Sequence, residues 1–115
     1  MPPHLSPIVR GAELLFASGQ MAFDETGRIT GDVSAQTTRC LENLERALQT
    51  AGRDRRDILK TTIWLTDPAD FAAFNEAYAA FFGDHRPARS TVVAQLVIPG
   101  ARIEIEAIAS DVAAQ

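Results

Sequence analysis

The chain has 115 residues, 46% of them apolar and 23% charged, with a formal net charge of −4. That length suits one domain with a modest core, and the ordinary composition excludes wholesale disorder. The single cysteine, Cys40, excludes an intrachain disulfide framework and a cysteine-zinc cluster, two histidines argue against a histidine-rich metal site, and the acidic balance works against binding nucleic acid.

Met1-Pro2-Pro3-His4 lacks the basic and apolar regions of a signal peptide. No apolar run approaches the ~20 residues of a transmembrane helix. A cytoplasmic protein without a membrane partner is expected, folded as a single domain over residues 1–115.

In chain order, Ile8-Val9-Arg10 and Leu14 to Gln20 read as two strands around a turn at Gly11-Ala12-Glu13. The second is apolar on both faces, as a strand buried on two sides would be. Gly19 inside it removes a side chain, so another group can come close to the backbone there. Arg28-Ile29-Thr30 is a candidate short edge strand. From Ser34 the period changes: Cys40, Leu44, Ala47, Leu48 and Ala51 recur at helical spacing, with Leu41 widening the stripe. Asp32 or Ser34 can cap this helix, and Gly52 ends it. Ile58 to Thr66 is β-branched and aromatic, hence a strand. Asp67-Pro68-Ala69-Asp70 opens a second helix, with Asp67 as N-cap and Asp70 near the positive dipole end. Phe71, Phe74, Tyr78, Phe81 and Phe82 form its aromatic stripe, and Gly83 stops it. Ser90 to Val97 and Arg102 to Ala109 are the last strands, joined by a type II turn at Pro99-Gly100.

Two helices and five or six strands make an α+β sandwich, both helices on one face of a single sheet. A right-handed crossover makes Ile58–Thr66 and Ser90–Val97 parallel if they share that sheet. The last strand alternates Ile103, Ile105, Ala107 and Ala109 against Arg102, Glu104, Glu106 and Ile108. Alone it fits a solvated outer face. Together with the other strands the uncovered face is mostly apolar with a few charges, which fits an oligomer interface containing a polar site.

Candidates for chemistry are few. No nucleophile elbow surrounds Ser18, and no phosphate loop follows Gly11 or Gly19. His4 and His85 read as surface residues, and Cys40 as a buried thiol. Glu104 and Glu106 share a strand face about 6.5–7 Å apart, a weak glycosidase-like signal. Arg89, in Pro87-Ala88-Arg89-Ser90 at the mouth of a strand, could fork onto a carboxylate ligand or pair with a surface acid.

Several blocks carry a resemblance: Leu14 to Gln20, Leu41-Glu42-Asn43-Leu44, Lys60 to Asp67, Asp70 to Asn75, Pro87 to Thr91, and Ile103 to Ala109. In order and spacing they resemble the Rid (YjgF) family of reactive intermediate/imine deaminases, from about Leu5 to Ala109. The resemblance implies a chorismate-mutase-like single mixed sheet with two helices on one face. It implies a homotrimer with clefts between subunits. The implied reaction is hydrolysis of enamines and 2-imino acids, such as 2-aminoacrylate and 2-iminopropionate, to 2-keto acids and ammonia, with no metal or organic cofactor. By the same resemblance Arg89 grips the substrate carboxylate and Glu104 positions or activates water. Thr91, where many members have Cys, holds the substrate, and Gly19 and Asn75 line the pocket. A Tyr of the deaminase branch aligns with Leu5, which removes a hydroxyl.

Pairing the last two strands across the Pro99-Gly100 turn would put Glu104 opposite Gln95 and Arg89 roughly 20 Å away in the same chain. If both are catalytic they then come from different subunits. The alternative is a non-catalytic trimeric 2-keto acid or carboxylate-binding regulatory protein. A ribonuclease fits poorly: only Arg53-Asp54-Arg55-Arg56 hints at a basic patch.

Overall fold

A computed structural model of the chain describes residues 3–112. Met1 and Pro2, read above for a targeting segment, lie outside them, as do residues 113–115. The elements are β1 (Ile8–Gly11), β2 (Leu14–Gln20), α1 (Val33–Gln49), β3 (Ile58–Leu65), α2 (Phe71–Phe82), β4 (Ala88–Val93) and β5 (Ile103–Ser110). The five strands form one sheet in the order β1-β2-β5-β3-β4. All neighbours are antiparallel except β3 and β4, which are parallel as the crossover through α2 requires. No helix among the described residues is long and apolar enough to cross a membrane.

Local chemistry explains the element ends. Asp32 caps α1 by accepting from the Ala35 amide at 2.9 Å. Asp67 accepts from the Ala69 amide at 2.9 Å, and Pro68 opens a single 3-10 turn that leads into α2. Ala12 and Glu13 form the tight β1–β2 turn with φ of 54° and 62°, a left-handed pair built without glycine.

Both helices lie on one face. Leu41, Leu44 and Leu48 of α1 and Phe74, Tyr78 and Phe82 of α2 close over Leu15, Ala17, Ile63, Ile103 and Ile105. Cys40 is part of this core, its thiol donating to the Ile103 carbonyl at 3.7 Å. The other face carries Val9 and Phe16, 54% and 43% exposed, with half-buried Trp64 and Ile108. The uncovered face is more polar than the alternation predicts: Lys60 and Thr62 of β3 and Glu104 and Glu106 of β5 share it with these apolar side chains.

Four further expectations are corrected. The β4 strand ends at Val93 rather than Val97, its last tie being the Ala94 amide to the Leu65 carbonyl at 2.9 Å. The turn at Pro99-Gly100 does form, with Gly100 at φ 87° and the Ala101 amide donating to the Ile98 carbonyl. It does not join a hairpin, because β3 lies between β4 and β5 and pairs with both. Arg102 stands outside β5 and forks onto Asp70 at 2.7 and 3.2 Å, so Asp70 serves an ion pair rather than the dipole alone. Residues 28–30 contribute only one bridge, Ile29 to Phe23.

Gln36 fastens α1 to the loop before β5. Its buried amide donates to the Gly31 and Gly100 carbonyls at 3.1 and 3.2 Å and accepts from the Arg102 amide at 2.9 Å. A Gln36→Met chain keeps the volume and orphans three backbone groups. Gly31 and Gly100 are exposed, so water can replace part of what is lost, and we expect a loss of about 1–3 kcal/mol, read from the urea midpoint.

Candidate active site

The residues singled out above fall into two groups on opposite faces of the sheet. On β4, Arg89 lies opposite Thr61 and Thr91 opposite Ile63. Register partners share a face, and Thr61 and Ile63 are buried beneath the helices. Arg89 and Thr91 therefore face the helix side, at the edge of the sheet. The Arg89 guanidinium sits 5.0 Å from the ring centroids of both Phe74 and Tyr78 and 5.9 Å from that of Phe71. Tyr78 is held in turn by a 2.7 Å hydrogen bond between its hydroxyl and that of Thr61. Among the described residues no acid pairs with Arg89. It is thus a cation with its face packed on aromatic rings and its donors free, the geometry that suits a forked carboxylate. Asn75, Tyr78 and Arg89 line one cavity of about 390 Å³. His85 borders it too, and its Nε2–H donates to the Ile58 carbonyl at 2.7 Å, so this ring fastens the loop after α2.

Thr91 has a different neighbourhood. Its hydroxyl is buried and has no hydrogen-bond partner among the described residues. It borders a second cavity, of about 220 Å³, with Leu65, Pro68, Phe71, Val92 and Val93.

The second group is on the open face. Glu104 stands between buried Ile103 and Ile105, so it points away from the helices, opposite Trp64 of β3. Gly19 lies against it. A Cβ built on Gly19 would overlap Oε2 of Glu104 and come within 3.0 Å of its Cδ. The β2–β5 register shifts between Ala17 and Gln20, at this same point. The group that the glycine admits to the backbone is therefore the Glu104 carboxyl. Burial first, and the charge of Glu106 second, push that carboxyl above the ordinary glutamate value. The segment carrying Leu5 runs alongside: the Ser18 hydroxyl donates to the Ser6 carbonyl at 2.6 Å and the Ser18 amide to the Pro7 carbonyl at 3.0 Å. Leu5 is 61% exposed.

The structure thus brings Arg89, Asn75 and Thr91 to one edge and Gly19 to Glu104, and it keeps the two groups apart. Arg89 and Glu104 are two strand spacings and three residues apart through β3. At ~4.8 Å per strand and ~3.3 Å per residue, their Cα atoms are about 14 Å apart, with the sheet between their side chains. This replaces the hairpin distance of roughly 20 Å and keeps its consequence: one small molecule cannot touch both within one chain. Sequence reasoning missed the aromatic seat of Arg89, since Phe71, Phe74 and Tyr78 look like a plain core stripe. An unpaired Arg entering a strand after such a stripe was the signal available.

Residues 3–111 match the model of the family described as Endoribonuclease L-PSP. A RutC family protein of Pyrococcus horikoshii is 42% identical over 106 residues, covering 90% of this chain and 84% of the relative. A 2-iminobutanoate/2-iminopropanoate deaminase of Salmonella typhimurium is 42% identical over 115 residues, covering 94% and 90%. The crystal structure of Escherichia coli TdcF with bound serine superposes with a TM-score of 0.88 at 37% identity, covering 96% of this chain and 89% of that one.

Proposed function

The chain belongs to the Endoribonuclease L-PSP family, the Rid (YjgF) family, and from that premise we propose that it is a hydrolytic deaminase of 2-imino acids acting as a homotrimer. The observation that carries the reading is the division of the site. A free guanidinium faces the helix side at one edge, and a carboxyl with a raised pKa sits in the open face, each without its counterpart in the same chain. Packing the open faces of three copies around an axis would bury Phe16 and Val9 and bring Glu104 of one subunit toward Arg89 of the next.

In that cleft Arg89 holds the substrate carboxylate, with Asn75 and Thr91 beside it. Glu104 of the neighbouring copy takes a proton from water as the oxygen attacks the C=N carbon. Glu104 hands that proton to the nitrogen, giving the carbinolamine, and then relays the hydroxyl proton to the same nitrogen as the C–N bond breaks, so ammonia leaves and a 2-keto acid remains. Overall one imine and one water give one ketone and one ammonia. The serine bound to the TdcF relative supports a small carboxylate ligand. RNA is a poorer substrate, because two of the three arginines in the basic run are committed within the chain: Arg53 pairs with Asp111 at 3.3 Å and Arg55 with Glu45 at 2.6 Å. Leu5 favours a second reading, a trimeric 2-keto acid-binding regulator, since it supplies no proton donor at the position of the family's Tyr.

The test generates 2-iminopropionate from alanine with an amino-acid oxidase and follows pyruvate and ammonia. At imine concentrations well below KM, Arg89→Ala and Glu104→Gln chains are each expected to lose about 100-fold or more in rate. Reassembled together in equal amounts, they should regain about a quarter of the wild-type rate, since one cleft in four pairs an intact Arg89 with an intact Glu104. No recovery sinks the shared site. Tight pyruvate binding without turnover by the wild type selects the second reading.

Gly19 gives a further expectation. In Gly19→Ala the new methyl displaces a flexible carboxyl and no backbone. The fold should survive, while a shift of about 1 Å in the base lowers kcat on the order of 100-fold with KM little changed.

A further inference from the structure

The cavity beside Thr91 has no role in the reading above. It is a bay of about 220 Å³ walled by Leu65, Pro68, Phe71, Val92 and Val93, all apolar, with Thr91 as the one polar residue of its lining. That space is several times the ~30 Å³ share of one water molecule. The methyl of 2-iminopropionate, itself about the size of a water, would leave most of it unfilled.

Its position fits a substrate seated on Arg89. Arg89, Thr91 and Val93 follow one another on the helix side of β4, opposite Thr61, Ile63 and Leu65. At ~3.3 Å per residue the bay begins about 7 Å from the Arg89 Cα, on the same face of the strand. Phe71 joins the two places, since its ring lies 5.9 Å from the Arg89 guanidinium and also walls the bay. A ligand whose carboxylate is forked by Arg89 and whose C2 reaches Thr91 has two places besides solvent for its side chain: back into the larger cavity, or onward into this bay. The larger cavity carries the polar groups of Asn75, His85 and Arg86, whereas the bay beyond Thr91 is apolar.

Building on the deaminase reading, we infer that this bay takes the substrate's side chain, and that the preferred substrates are 2-imino acids with a branched, thioether or aromatic side chain rather than a methyl. Each methylene moved from water into an apolar site is worth several-fold in affinity, so three or four extra carbons outweigh the methyl compound by tenfold or more.

The experiment uses the wild-type protein and two readouts. Calorimetry compares pyruvate, 2-oxobutanoate, 4-methyl-2-oxopentanoate and phenylpyruvate. Initial rates compare the imines that an amino-acid oxidase makes from alanine, leucine, methionine and phenylalanine. The expected result is 4-methyl-2-oxopentanoate binding at least tenfold tighter than pyruvate, with the same ranking in kcat/KM. In Val93→Trp, where an indole occupies the bay, the ratio should fall to about one. Equal or tighter binding of pyruvate by the wild type overturns the inference, and so does a ranking that Val93→Trp leaves intact. The two readings also fail separately. Hydrolysis of every imine with no preference for size overturns the bay alone. A size-ranked series of keto acids bound with no imine hydrolysed overturns the deaminase and retains the bay as a ligand site.

Discussion

An Arg89→Ala chain is expected to fold normally and to lose about 10²–10³ in kcat/KM, most of it as a rise in KM. The fork from a guanidinium to a carboxylate is charge-assisted and bidentate, and truncating one partner of such a pair costs ~2–5 kcal/mol. The carboxylate of a 2-imino acid does not change on the way to the transition state. Its grip is therefore uniform binding, which appears in KM rather than kcat. The fold should tolerate the change because no acid pairs with Arg89 among the described residues, and the aromatic contacts with Phe74 and Tyr78 are worth about 1 kcal/mol. Arg89→Lys separates charge from shape. A lysine keeps the charge and loses both the fork and the flat face that lies on the rings, so it should remain at least tenfold impaired. Initial rates over a range of imine concentrations, beside a thermal melt, check both variants. A collapsed Tm in Arg89→Ala, or a loss confined to kcat, would refute the role.

Much of this arrangement is legible in the sequence, and the gaps have physical causes. Period and capping located both helices: Asp67-Pro68 opens the second, and the leucine stripe from Leu41 to Leu48 buries the first. The two-residue alternation in β5 sorted Ile103 and Ile105 from Glu104 correctly. Crossover handedness dictates that β3 and β4 run parallel, as they do. Neighbours in the sheet were harder. The Pro99-Gly100 turn has the signature of a hairpin and the conformation to match, yet no turn encodes which strands pair beyond it. Strand β3 lies between them, pairing with β4 on one side and β5 on the other.

That single insertion decides the site. With a hairpin, Arg89 and Glu104 would merely lie far apart along a ribbon. With β3 between them they also point to opposite faces, and the division becomes a property of the sheet. The seat of Arg89 was hidden for the same reason, since its face depends on its register with Thr61, and that register joins residues 28 positions apart. Gln36 was hidden because a polar residue in the first turn of a helix usually meets water. Here the loop before β5 covers it.

Glu104→Gln is expected to lower kcat by about 10²–10⁴ while leaving KM close to wild type, the range usual for loss of a general base. Burial and the neighbouring Glu106 hold its carboxyl above the ordinary glutamate value. A base so raised is stronger once it is ionised. The rate should therefore fall with decreasing pH along a limb above the ordinary glutamate value, and Glu104→Gln should abolish that limb. Removing the nearby charge in Glu106→Gln should move it downward. The same shift has the opposite sign for stability. Between the ordinary and the raised pKa, the folded chain binds more protons than the unfolded chain, so stability falls as pH rises through that window. Above it the ionised carboxylate opposes folding, and the neutral amide of Glu104→Gln avoids that cost. At a pH above that window this variant should melt no lower than wild type while being nearly inactive. An inactive variant that melts lower would make Glu104 a structural residue, and an active one would leave the water without its base.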